Sequence, residues 1–228
     1  MNVAIITAAG IGRRLPGSIK KQFIQLAGRP LLFWTIDPFI THADIDQIII
    51  TLPQDDLEQF RAEIAKEFHS DRIHCIAGGL ERQDSVYLAL QDCPANADFV
   101  LVHDGVRPFI SKQDISNLIT EVKDKKAVIP VSPVTHTLKS IKEGKVIETI
   151  PRENVYQVFT PQAFDFSMLI NCYRKVENTQ KIFTDDASIL EFLGIPVYTV
   201  QMSPWNIKIT TPADIRIAEL IISKGEKE

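Results

Sequence analysis

Cysteine is scarce and unpatterned in this chain: Cys75, Cys93 and Cys172 are the only three in 228 residues, and no Cys-x-x-Cys spacing occurs. An odd, scattered set argues against a disulfide framework or a zinc site and favours reduced thiols. The five histidines, His42, His69, His74, His103 and His136, form no His-x-x-x-His pair, and no nucleophile elbow is present. Hydrolase chemistry therefore lacks its parts. No stretch approaches the roughly 18 consecutive apolar residues that spanning a bilayer requires. Met1-Asn2-Val3-Ala4-Ile5-Ile6 enters an apolar run with no basic n-region and no small-residue cleavage site. The expectation is a cytoplasmic chain that does not insert into membranes. Positive charge is not in excess either: 25 Lys and Arg stand against 29 Asp and Glu, a formal net charge of -4. Binding nucleic acid through overall charge is thereby excluded, and any anion site must be a local cluster of Lys and Arg.

Hydrophobic residues make up 45% and charged residues 24% of the chain, an ordinary globular balance at a length suited to one domain, residues 1–228. Val3 to Thr7, Ile48 to Leu52, Ile73 to Ala77, Phe99 to Val102 and Ala127 to Val131 are short apolar runs rich in β-branched residues. They read as strands buried on both faces. Between them, Leu57, Phe60, Ile64 and Phe68 recur at helical spacing, as do Ile115, Leu118, Ile119 and Val122 after a capping candidate at Ser111. Alternating strand and helix predicts an α/β fold, a mostly parallel sheet covered by helices on both faces. Ligands of such sheets bind beyond the carboxyl ends of the strands, which singles out Ala8 to Arg14, Gly78 to Ser85 and His103 to Pro108. Thr135 to Ile141 and Val146 to Ile150, joined by Lys142-Glu143-Gly144-Lys145, predict a projecting β-hairpin arm within about residues 132–155. Its open edge suits pairing with a second copy of the chain.

Ala8-Ala9-Gly10-Ile11-Gly12-Arg13-Arg14-Leu15 follows the first strand, and its two glycines let backbone N–H groups approach an anion. A bare Gly-x-Gly reads equally as a tight turn. Arg14, Lys21 and Gln22 shift the balance towards a phosphate site, with a triphosphate as the guest. The P-loop pattern is not met, and the dinucleotide fingerprint lacks both its third small residue and an acidic residue ending the second strand, Thr51-Leu52-Pro53.

The run Ala8-Ala9-Gly10-x-Gly12-x-Arg14 with Lys21-Gln22 resembles the signature loop of nucleotidyltransferases that activate sugars and alditol phosphates. The order of the later motifs, across residues 3 to about 220, narrows the resemblance to the methylerythritol phosphate cytidylyltransferases. That family implies a Rossmann-like nucleotidyltransferase fold, CTP and an alditol phosphate as substrates, Mg²⁺ as cofactor and a homodimer built through the arm. Ribitol 5-phosphate cytidylyltransferases share several of these motifs and supply the alternative acceptor. Gly78-Gly79-Leu80-Glu81-Arg82-Gln83-Asp84-Ser85 resembles the family segment whose backbone and serine face the cytosine and ribose. By itself the segment also reads as a strand-to-helix turn capped by Asp84 or Ser85. Leu80 stands where some members carry Asp, so no role is carried onto it.

By the same resemblance, Ala8, Ala9, Gly10, Gly12, Gly78, Gly79 and Ser85 bind the nucleotide. Arg14, Lys21 and Lys208 are the catalytic cations, and Asp104, Arg107, Thr137, Arg152 and Thr184 bind the acceptor. Asp104 is also placed beside the metal, which is held mainly by CTP phosphates. Plainer readings stand beside these: Asp104 as a turn cap paired with Arg107, Thr137 as an ordinary strand threonine, Thr184 as a helix cap, Lys208 as a solvated lysine. His103 reads as structural. Asp186 replaces the family's frequent Glu. The acceptor phosphate has a second pKa near 6, so it attacks as a dianion without a protein base, and the demand on the protein is for positioned positive charge.

Overall fold

A computed structural model describes residues 1–10, 23–179 and 181–224. In chain order the strands are β1 (Asn2–Thr7), β2 (Gln25–Leu26), β3 (Arg29–Pro30), β4 (Gln47–Leu52), β5 (Ile73–Ala77), β6 (Phe99–Asp104), β7 (Ala127–Pro133), β8 (Leu138–Lys142), β9 (Lys145–Ile150), β10 (Tyr156–Val158), β11 (Gln162–Asp165) and β12 (Tyr198–Gln201). The helices are α1 (Leu31–Ile40), α2 (Leu57–Phe68), α3 (Arg82–Asp92), α4 (Lys112–Lys125), α5 (Phe166–Val176), α6 (Asp186–Phe192) and α7 (Pro212–Lys224).

The described residues form an eight-stranded main sheet. Its parallel half runs β5-β4-β1-β6, with β1 between β4 and β6. Beyond β6 lies antiparallel β11 and then β7, which also pairs with β10 and β12. Because side chains alternate across a strand, β1 feeds both layers. Ala4 and Ile6 pack with Leu32 and Ile36 of α1, Ile64 of α2 and Leu118 of α4. Val3 and Ile5 pack with Val86 and Leu90 of α3, Leu169 of α5 and Leu190 of α6. The expected α/β architecture is therefore present, with helices on both faces. β5 departs from the expectation of two buried faces: it closes one side of the sheet, and His74 is exposed while only Cys75 is fully buried.

Helix starts follow local chemistry. Ser111 Oγ accepts the Asp114 N–H at 3.0 Å and starts α4, as its position in the sequence predicts. Asp185, not Thr184, caps α6, accepting the Ser188 N–H at 3.0 Å. The hairpin arm comprises β8 and β9, with a two-residue loop at Glu143 (φ 50°) and Gly144 (φ 77°). Two successive positive φ values match the twist of a tight hairpin, and glycine serves the second at no steric cost. The first arm strand begins at Leu138, three residues later than Thr135. Ile141, Val146 and Ile147 of the arm are about 60% exposed.

Candidate active site

Four parallel strands, β5, β4, β1 and β6, end side by side, and backbone bonds tie the loops that follow them to neighbouring strand ends. The Ala8 N–H donates to Thr51 O (2.9 Å), the Gly78 N–H to Leu52 O (2.8 Å) and the Gly105 N–H to Thr7 O (2.9 Å). Over these ends opens a cavity of about 230 Å³, walled by Thr7 to Gly10, Gly79 to Arg82, Ser85, Asp104, Val106, Lys208 and Thr210. It lies where an open parallel sheet places its ligands, and most segments that the sequence singles out meet there.

The glycine loop is packed tightly. A Cβ on Gly78 would stand 2.3 Å from Ala9 Cβ, and one on Gly79 would stand 2.3 Å from Asp84 Cβ. Around Gly10, by contrast, nothing among the described residues lies within 4 Å of the added carbon. Ser85 is buried, and its hydroxyl accepts the Gly79 N–H (3.0 Å) and donates to Glu81 O (3.2 Å). It lines the cavity while holding the loop that brings Gly79 to it. The capping reading of the same segment is corrected in its residue: Glu81, not Asp84 or Ser85, is the N-cap of α3, and Asp84 completes a capping box by accepting the Glu81 N–H at 3.0 Å.

Asp104, at the end of β6, is the electrostatic centre. Its Oδ1 accepts from Arg82 Nε (3.3 Å), and its Oδ2 accepts from Arg107 Nε (3.1 Å) and Lys208 Nζ (2.9 Å). Burial alone would raise this carboxyl's pKa; Arg82, Lys208 and Arg107 overcome that and hold it well below the usual carboxylate range. Arg82 also donates to Asp186 Oδ2 (2.8 Å), whose Oδ1 accepts from Tyr173 OH (2.6 Å). Three cations thus face two carboxylates, leaving one positive charge towards the cavity. Arg107 donates to Asn206 O (3.0 Å) and lies over the Phe159 ring. Its pairing with Asp104 is internal rather than on the surface.

His103 is fully buried, as its structural reading requires. Nε2 donates to Arg107 O (3.0 Å), so Nδ1 is free to accept from the Thr160 hydroxyl (2.9 Å), whose oxygen in turn accepts the Asp104 N–H (3.1 Å). Burial pushes the imidazole pKa down to about 4. A neutral ring bridging two backbone segments orients Asp104; it is not placed to exchange protons with a ligand.

The structure brings Ala8, Ala9, Gly10, Gly79, Ser85, Asp104 and Lys208 to one cavity, with Gly78 packed behind Ala9 and Arg107 behind Asp104. Thr137 and Arg152 are exposed on and beside the arm, where Arg152 bonds to Thr135 O, and Thr184 is exposed before α6. None of the three lines the cavity. Gly12, Arg14 and Lys21 lie outside the described residues. Arg82, Asp186 and Tyr173 received no role from the sequence. One signal was available: Arg82 occupies the first turn of α3, where the helix dipole disfavours a cation, so a specific anionic partner was required.

For Mg²⁺ the fit is with substrate rather than protein. Among the described residues no group of three His, Cys, Asp or Glu side chains could hold a metal ion. Both Asp104 oxygens already accept from cations that a directly bound metal would displace.

A Rossmann-like sheet whose first, third and fourth parallel strands deliver a glycine loop, an Arg-bearing turn and a cation-bound Asp to one cavity defines a nucleotidyltransferase of the α/β class. The model of the 2-C-methyl-D-erythritol 4-phosphate cytidylyltransferase (IspD) family matches residues 2–224. The chain belongs to that family. Similar proteins named 2-C-methyl-D-erythritol 4-phosphate cytidylyltransferase include one from Clostridioides difficile, 37% identical over 100% of this chain and 96% of the relative. Another, from Clostridium botulinum, is 39% identical over 98% of each. Among solved structures, 4-diphosphocytidyl-2C-methyl-D-erythritol synthase from Anaerococcus prevotii superposes with a TM-score of 0.86 at 33% identity, covering 97% of this chain and 98% of that one. The Thermus thermophilus cytidylyltransferase gives 0.81 at 30% identity, covering 96% and 98%. No described helix is long and apolar enough to cross a membrane.

Proposed function

We propose that this chain transfers CMP from CTP to 2-C-methyl-D-erythritol 4-phosphate, giving 4-diphosphocytidyl-2-C-methyl-D-erythritol and pyrophosphate for non-mevalonate isoprenoid precursor synthesis. The observation that carries this reading is Lys208 on Asp104 at the mouth of the glycine-loop cavity, in a chain matched by the family model over residues 2–224.

The nucleoside lies against Ala8, Ala9, Gly10 and Gly79, with Gly78 and Ser85 setting the loop. Arg14, Lys21 and the backbone of Gly12 hold the triphosphate. Lys208 has three N–H donors and gives one to Asp104. Those remaining neutralise the α-phosphate as the acceptor's phosphate dianion attacks in line and pyrophosphate leaves. No protein base is needed, which suits a His103 held neutral and out of reach. Asp104 and Arg107 face the acceptor, joined by Thr184 and by Thr137 and Arg152 from the arm of a second copy. The exposed apolar side chains of the arm support such a homodimer. Mg²⁺, carried by the CTP phosphates, adds charge neutralisation when bound. The whole of residues 1–228 acts as one catalytic domain with residues 132–155 as its arm, working in the cytoplasm.

The test is pyrophosphate release from CTP and Mg²⁺ in separate incubations with 2-C-methyl-D-erythritol 4-phosphate and ribitol 5-phosphate. Turnover with the first and little with the second is expected, because the family match does not favour ribitol 5-phosphate. Release with ribitol 5-phosphate alone, or with neither acceptor, would overturn the assignment.

A further inference from the structure

Behind the cavity wall runs a chain of contacts that the reaction as described does not use. Asp186 is completely buried at the start of α6, yet both its carboxylate oxygens are occupied: Oδ1 by the Tyr173 hydroxyl from α5 (2.6 Å) and Oδ2 by Arg82 from α3 (2.8 Å). Its backbone is fixed as well, for Gln162 Oε1 accepts the Asp186 N–H (3.1 Å) and the Ala187 N–H (3.0 Å) while Gln162 Nε2 donates to Asp185 (2.7 Å). Gln162 itself is fully buried. Arg82 then spans from this fixed carboxylate to Asp104, which carries Lys208 and Arg107.

The geometry points to Tyr173 and Asp186 as positioning residues for the transfer reaction: the phenol fixes the carboxylate, the carboxylate fixes Arg82, and Arg82 fixes Asp104 and its lysine at the cavity wall. Arg82 gives Nε to Asp104 and Nη2 to Asp186, so its planar guanidinium is anchored by two carboxylates at once, and loss of either contact leaves it a single anchor. Tyr173 suits its place in the chain. Burial and the neighbouring Asp186 push its phenol pKa well above the ordinary value, so it remains a donor. Its ring stacks at 5.8 Å on Tyr87 of α3, the helix that carries Arg82, so the phenol is packed directly against the element that bears the arginine. Tyr173 and Asp186 lie off the cavity wall, and their influence on turnover passes through Arg82.

The inference rests on the transfer reaction proposed above, and its test has one arm that does not. In Tyr173→Phe, which removes one buried O–H, kcat is expected to fall about tenfold, the scale of one lost charge-assisted contact. KM for CTP is expected to stay within about twofold, because the glycine loop is untouched. Asp186→Glu, retaining the charge, is expected to recover more rate than Asp186→Asn. Independently of turnover, the Arg82 Nε–H in ligand-free protein should exchange with solvent at least about tenfold faster in Tyr173→Phe than in the parent, by NMR. Parent-like kcat and parent-like Arg82 exchange in a Tyr173→Phe protein of lowered melting temperature would make the ladder a stability element and overturn the proposal. If the parent chain shows no transfer at all, the reaction assignment fails, and the exchange arm alone decides whether Tyr173 positions Arg82. Should the Asp186 variants not fold, Tyr173→Phe carries both arms.

Discussion

Asp104 is a buried anion surrounded by donors from α3, from its own loop and from the segment after β12. Of those donors Lys208 is the one with a substantially exposed side chain, 39% accessible, so it can be removed with little cost to packing. Lys208→Ala is expected to fold normally and to lose on the order of 10² to 10³ in kcat, checked by steady-state pyrophosphate release alongside circular dichroism. Gly78 presents the opposite case. Gly78→Ala forces a carbon against Ala9 and is expected to cost about 1–3 kcal/mol in denaturant unfolding, while Gly10→Ala, whose added carbon has no described residue within 4 Å, is expected to cost less. His103 sets a pH window. Its folded pKa, about 4, lies below the ordinary 6.5, so between those values the unfolded chain binds a proton that the folded chain refuses. Stability therefore falls as pH drops from 6.5 towards 4, by on the order of 3 kcal/mol, and this contribution is constant below that. The stability that Asp104 derives from its depressed pKa is full above the ordinary carboxylate range and is lost only as pH falls from that range through its folded value. Unfolding at pH 7 and pH 4.5 should accordingly show a drop in the parent that His103→Gln largely lacks.

Among the elements, those with strong periodicity were legible in advance and those whose role depends on a neighbour were not. Ile48 to Leu52 is apolar apart from Thr51 and rich in β-branched residues, and its burial between two parallel strands follows directly. Ile73 to Ala77 has similar composition but closes the sheet, a fact that no local pattern encodes because strand order is a property of crossovers. Ser111 announced the start of α4, whereas α6 took its cap from Asp185 rather than Thr184, in keeping with the stronger capping preference of Asp over Thr. Arg82 and Asp186 stand 104 residues apart, and neither spacing nor composition links them; only the tertiary packing does, with α5 lying against both α3 and α6. The arm was legible from its turn, and its function is an expectation at this same scale. Ile147→Asp, placing charge on the exposed face of β9, is expected to leave the fold intact and to shift the chain towards monomer in sedimentation equilibrium, with loss of turnover.

At the scale of the whole molecule, two packed layers share one sheet, and the functional end of that sheet is where the motifs converge. The sequence located this end because parallel α/β sheets offer ligands few other places. It did not disclose how much of the local charge is internally neutralised, which depends on Arg82, Arg107 and Lys208 reaching Asp104 from three separate segments.

The backbone bonds that lash the loops after β1, β5 and β6 to the ends of neighbouring strands have a consequence for how ligands are admitted. Thr7 accepts the Gly105 N–H on its carbonyl and donates its hydroxyl to His103 O at 3.2 Å, so the two central strands cannot part without unzipping the middle of the sheet. Nucleotide and acceptor must therefore meet on a floor that stays put. Amide hydrogens of Ala8 and Gly105 should be among the slowest to exchange in heavy water, with and without CTP; rapid exchange at either would mean that the floor itself opens.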